Sequence, residues 1–183
     1  MRHWWLILLL LSGCATHVPV VRPMHSEDVP FAMNGRISVK HNGARDSAGL
    51  RWTHRIDNDE ILLLTPLGQT AARIYRDDQQ ATLDEGDKHH QDRDIESLMM
   101  QVLGWRLGLN RLHHWVLGME AEGGALIDRD ELGRIAVLRQ DGWEVRYLQY
   151  ADDKADSLPQ RMQLSRENLQ ILLLVDEWEW IPE

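Results

Sequence analysis

The sequence predicts a mostly β domain, an antiparallel sheet with a helical insert packed on it. Three observations lead there. Apolar and polar residues alternate in short runs separated by polar or Gly-containing turns, from Phe31 onward. Between Asp94 and Leu117 the apolar period becomes helical, and after Gly123-Gly124 the alternation resumes. The Asp141-Gly142 pair between two such runs is a strong hairpin signal.

Before the insert, Ala32–Lys40, Ser47–His54, Glu60–Leu64 and Gln69–Arg76 read as strands, with Ala81–Glu85 a shorter one. Ile37 and Val39 oppose Arg36, Ser38 and Lys40, while Ala48, Leu50 and Trp52 oppose Ser47, Gly49 and Arg51. In the insert, Ile95, Leu98, Met99, Val102 and Leu103 form one helical stripe, with Asp94 placed to cap it and Gly104 to end it. A second helix is expected over Asn110–Leu117, stopped by Gly118, and the linker 104–109 keeps the two helices close. Ala125–Asp128, Gly133–Gln140, Trp143–Tyr150, Arg161–Ser165 and Leu169–Trp178 complete the strands, giving five before the helices and five after.

The first residues serve a different purpose. Arg2 and His3 precede the unbroken apolar run Trp4–Leu11, which is followed by Ser12, Gly13 and Cys14. That run is too short for a hydrocarbon core of about 30 Å, which needs roughly 20 helical residues, but it suits an export signal. Leu11-Ser12-Gly13-Cys14 has the form of a lipobox: the small residues admit a signal peptidase and the Cys14 thiol takes the lipid. The expected division is a signal peptide over 1–13, a lipid anchor and Pro-containing tether over 14–30, and one domain over 31–183. Ala15 stands where Asp would favour inner-membrane retention, which is compatible with sorting to the outer membrane.

Composition narrows the function. The single cysteine of this 183-residue chain is spent on the lipid, so the domain must be held by its apolar core without disulfides. A net charge of −9 argues against nucleic acid and against general adhesion to anionic lipid, leaving membrane contact to the anchor and to local apolar features. Nine histidines invite a metal, but His89-His90 and His113-His114 are adjacent pairs that point to different sides of a strand or helix. No HExxH, CxxC, GxSxG or phosphate-binding loop occurs, so an enzyme, a bound cofactor and a metal are all disfavoured.

Two features leave alternatives open. In Thr65-Pro66-Leu67-Gly68, Pro66 and Gly68 suit a type I turn that leaves Leu67 near its tip, either exposed or folded back on the core; general burial preferences favour the latter. The helices either close a dry core, the default, or cover a cavity, for which the adaptable side chains of Met99 and Met100 are suited.

The lipobox, the segment Ile61–Ile74 (ILLLTPLGQTAARI) and the segment Asn110–Met119 (NRLHHWVLGM) together resemble the LolB family of outer-membrane lipoprotein receptors, over about Phe31 to Trp180. The resemblance implies an incomplete, curved antiparallel barrel whose open mouth is plugged by helices forming a lid over an apolar cavity. It implies a monomer, anchored at the periplasmic face of the outer membrane. This protein would accept acylated lipoproteins from a LolA-like periplasmic carrier and release them into outer-membrane lipid. The family's membrane-inserting leucine falls on Leu67, flanked by Pro66 and Gly68. The chain departs from better-known members in its short tether and single Phe, so Trp and Leu must line the cavity. Alternation places Ile37, Leu50, Trp52, Leu63, Ile74, Val137 and Val145 inward, with Leu98, Val102 and Val116 on the lid. The alternatives are a structural subunit of an outer-membrane assembly and a carrier of another amphiphile.

Overall fold

A computed structural model describes residues 29–181. The expected signal peptide, Cys14 and the expected tether up to residue 28 lie outside the described residues.

Six strands come first: β1 (Phe31–His41), β2 (Ala44–His54), β3 (Asn58–Leu64), β4 (Thr70–Asp77), β5 (Ala81–Glu85) and β6 (Lys88–Asp92). Helices α1 (Ile95–Leu103) and α2 (Leu109–Val116) follow, and then β7 (Leu126–Arg129), β8 (Ile135–Gln140), β9 (Trp143–Tyr150), β10 (Pro159–Arg166) and β11 (Leu169–Trp180). All pair antiparallel in one sheet of order β6-β5-β4-β3-β2-β1-β11-β10-β9-β8-β7, so the first and last strands meet at its centre and β6 and β7 remain edges. The sheet wraps round the helices. Asn110 and His113 of α2 meet Arg76 of β4 and His54 of β2, while Trp115 of the same helix meets Gln140 of β8 and Tyr147 of β9.

Local chemistry accounts for most boundaries. The turns at Asn42-Gly43 and Asp141-Gly142 have positive φ at both residues, the geometry that matches strand twist in a two-residue hairpin. Asp94 caps α1 by accepting the Ser97 N–H at 2.8 Å, and Gly104 ends it in the left-handed region at φ 77°. At Gly35 a β-bulge brings β1 and β11 so close that a Cβ there would stand 2.1 Å from the Leu174 carbonyl oxygen.

One strand escaped the sequence pattern. β6 (KHHQD) contains no aliphatic residue, because an edge strand whose side chains stay largely in solvent needs no apolar face. The strand count is therefore six before the helices rather than five. The helix boundaries differ by a single residue: α2 starts at Leu109 and ends at Val116.

Candidate functional site

The inner face of the sheet and the helices pack into a core but leave part of the space between them open. They enclose a cavity of about 420 Å³. The wall is built by alternation: Met33, Ile37 and Val39 of β1, Leu50 and Trp52 of β2, Ile61 and Leu63 of β3, and Ile74 of β4 all point inward. Leu164, Ile171 and Leu173 of β10 and β11 extend it, and Met99, Val102 and Leu103 of α1 form the roof. The polar residues along its lining are Asp46 and Ser47, both near the β1–β2 turn.

The cavity has a direction. Trp52, Met33 and Ile61, at one end of the wall, are buried, whereas Val39, Ala48, Asp46 and Ser47, near the β1–β2 turn, are half-buried or exposed. Solvent is therefore reached at the β1–β2 end. Because β2 and β3 are antiparallel with Gly49 opposite Leu64, the turn after β3 projects at that same end.

That turn carries Leu67, which is 88% exposed. The Gly68 N–H donates to the Thr65 carbonyl at 2.8 Å, Pro66 occupies the position where fixed φ is favourable, and Gly68 takes φ 79°. The Thr65 N–H donates to the Gln69 carbonyl, and Thr65 Oγ1 accepts the Gln69 N–H, which stiffens the base. A four-residue turn held this way leaves no slack for Leu67 to reach the core, so its side chain stands in solvent.

Five of the residues placed inward by alternation line the cavity, Ile37, Leu50, Trp52, Leu63 and Ile74, and so does Val102 of the three expected on the lid. Leu98, Val116 and Val145 are buried in the core beside it and do not line it. Val137 lies on the outer face, opposite Arg146. A bulge explains the reversal: Asp128 pairs with Val137 but the next residue, Arg129, pairs with Ile135, so the parity of β8 changes between them. Ile135 and Leu138 are the buried ones. The sequence reading missed Trp105 and Leu107, which close the roof from the linker between the helices. Its Gly-rich composition hid them; the signal was two large apolar residues in a supposed loop.

Polar ties fasten the two helices unequally. Buried Asp59 accepts hydrogen bonds from Trp52 Nε1 at 2.7 Å, His54 Nδ1 at 2.7 Å and Arg76 Nε at 2.6 Å, and Arg76 in turn donates to Asn110 of α2. Burial alone would raise the Asp59 pKa, but the His54 hydrogen bond and the Arg76 charge outweigh it and hold the carboxyl below its usual range. His113 of α2 stacks on His54 with ring centroids 4.6 Å apart, and burial, reinforced by His114 and His54, pushes it down to about 3. Trp115 Nε1 donates to Gln140 at 2.9 Å and its carbonyl accepts the Tyr147 hydroxyl at 2.7 Å. Thus α2 is fixed to both arms of the sheet. In contrast, α1 is held to α2 by Glu96, whose carboxylate accepts the Leu109 and Gly108 N–H groups at 2.7 and 3.1 Å, capping a helix that starts on glycine. Among the described residues no group of three or more His, Cys, Asp or Glu side chains is arranged to hold a metal.

The model of the family described as outer membrane lipoprotein LolB matches residues 29–178. The chain belongs to the LolB family. Relatives named outer-membrane lipoprotein LolB include one from Azoarcus sp., 35% identical over 93% of this chain and 90% of its own. Another, from Nitrosomonas europaea, is 36% identical over 97% of this chain and 92% of its own. Among solved structures, a DUF1329 family protein from Desulfovibrio piger superposes with TM-score 0.50 at 7% identity, covering 84% of this chain and 86% of its own. A LolA superfamily protein from Nitrosomonas europaea superposes with TM-score 0.48 at 12% identity, covering 87% and 89%.

Proposed function

We propose that this LolB-family protein is an outer-membrane receptor for lipoproteins. It takes acylated lipoproteins from a LolA-like periplasmic carrier, shelters their acyl chains in the cavity and releases them into outer-membrane lipid. The observation that carries this reading is the pairing of an apolar cavity with an almost fully exposed leucine at its open end.

The chemistry calls for both parts. A triacylated anchor has on the order of 45 CH₂ groups, each worth about 0.8 kcal/mol when buried. Release into water would cost tens of kcal/mol, so each step needs an apolar host. A partly open cavity shields the chains less completely than a bilayer, and that gradient drives transfer outward without nucleotide hydrolysis. Leu67 brings the open end to the acceptor membrane. The protein carries its cargo as a monomer and does not convert it. Cys14 holds it at the periplasmic face of the outer membrane, with residues 1–13 removed and the tether 14–30 leading to the domain.

Mass spectrometry of what co-purifies with the full chain from its native membrane tests the reading. Triacylated lipoproteins are the expected cargo. A glycolipid or free phospholipid alone would make the protein a carrier of another amphiphile, and an empty protein that accepts nothing from a loaded carrier would make it a structural subunit.

A further inference from the structure

The face of the sheet turned away from the helices is unusual beside the Leu67 turn. Leu64, Leu172 and Leu174, with Pro66, line a hollow of about 440 Å³ over Gly49, which has no side chain to fill it. Gly49 pairs with Arg36, and Arg36 with Leu174, so these leucines share a face with Arg36 and point away from the cavity. Apolar residues so placed give nothing to the core.

On the same face, two positions beyond Ser38, Lys40 stands directly opposite Arg45. Like charges in that relation destabilise a strand pair. Both side chains are exposed, and neither has an ion-pair partner among the described residues. Among the other exposed arginines, Arg36 pairs with Asp176, Arg73 with Glu60, and Arg139 with Asp128 and Glu144, while Arg51, Arg55, Arg161 and Arg166 have no ion-pair partner among the described residues. What sets Lys40 and Arg45 apart is that they face each other across the strand pair beside these leucines.

We propose that this outer face of β1, β2 and β11 is a phospholipid-docking surface. It lies on the bilayer with Leu67, Leu64, Leu172 and Leu174 toward the apolar layer and Lys40 and Arg45 on the headgroup phosphates. The proposal rests on the membrane reading of Leu67 and adds an orientation to it. A phospholipid surface offers the two chemistries in that order, apolar chains beneath a layer of phosphate, whereas an acidic protein face would leave the leucines without a partner. With a net charge of −9 the chain as a whole is not drawn to anionic lipid, so a local unpaired cation pair decides which face approaches. Each cation near an anionic surface strengthens docking roughly fivefold.

The test uses the full chain anchored in vesicles of phosphatidylethanolamine and phosphatidylglycerol with brominated acyl chains. An environment-sensitive fluorophore is placed in turn at Leu67→Cys, Leu172→Cys and Ser38→Cys. Quenching at all three sites is expected, with Lys40→Gln/Arg45→Gln reducing it several-fold and replacement of phosphatidylglycerol by phosphatidylcholine reducing it in part. Quenching at residue 67 without quenching at 172 and 38 overturns the docking surface and leaves the Leu67 reading intact. No quenching at any site overturns both. If the double variant instead impairs acceptance from the carrier and leaves quenching unchanged, the cations serve a protein partner and the proposal fails.

Discussion

Leu67→Glu separates receiving cargo from delivering it. The side chain is 88% exposed and makes no contribution to the core, so the substitution changes folding stability by no more than about 0.5 kcal/mol in either direction. At a membrane the balance differs. Burying a whole leucine gains about 1.5–3 kcal/mol, of which the exposed fraction makes about 1.3–2.6 kcal/mol available. Losing it lowers the population of the docked state by about 9- to 70-fold, before the cost of placing a carboxylate in the interface is added. The cavity is built from other residues and is unchanged. A thermal melt followed by a two-stage transfer assay, from carrier to receptor and from receptor to vesicle, reads each part. The expected result is a melting temperature within a degree or two, normal acceptance and slowed release. A melting temperature lower by several degrees would mean that Leu67 supports the fold. A stable variant that releases at the normal rate would refute the membrane role.

Two other predictions follow from the lid. Glu96→Ala removes the carboxylate that ties α1 to the start of α2. The cavity should then bind a small apolar fluorophore several-fold faster while α2 keeps its ties to the sheet; an unchanged rate would mean that α1 does not gate the cavity. The pH profile tests the buried end. His113 has a folded pKa of about 3 against 6.5 unfolded, so between these values the unfolded chain binds the extra proton. Stability is fully present above pH 6.5 and falls as the pH drops through that window, by about 2 kcal/mol between pH 7 and 5. Asp59, also depressed, adds its loss at lower pH, from the ordinary carboxylate range downward. Urea denaturation at pH 7 and 5 should show the loss, and His113→Phe should reduce it; a pH-independent midpoint would contradict the burial of a neutral imidazole.

Local rules reached a long way into this chain. The Asp94 cap, the α1 stripe, the Asp141-Gly142 hairpin and the Pro66–Gly68 turn depend on neighbours within a few positions, and the sequence alone determined them. Inward parity on β1 to β4 was equally legible, because there each strand alternates without a break through the residues that matter. Tertiary structure decided the rest. A bulge on β8 turned Val137 outward by inserting one unpaired residue, and no periodicity announces where a ladder will slip. β6 became a strand because a neighbour offered hydrogen bonds, with no apolar pattern of its own. Whether Leu67 would fold back depended on how far the turn stands from the nearest core surface. The pairing of Lys40 with Arg45, the Asp59 network and the cavity itself all join residues distant in sequence, across strands whose register only the closed-up sheet sets. Local pattern thus decided which groups lie on which side of each strand or helix that runs without a bulge. The curvature that wraps eleven strands round two helices decided which of those groups meet, since it is set by packing summed over the whole sheet.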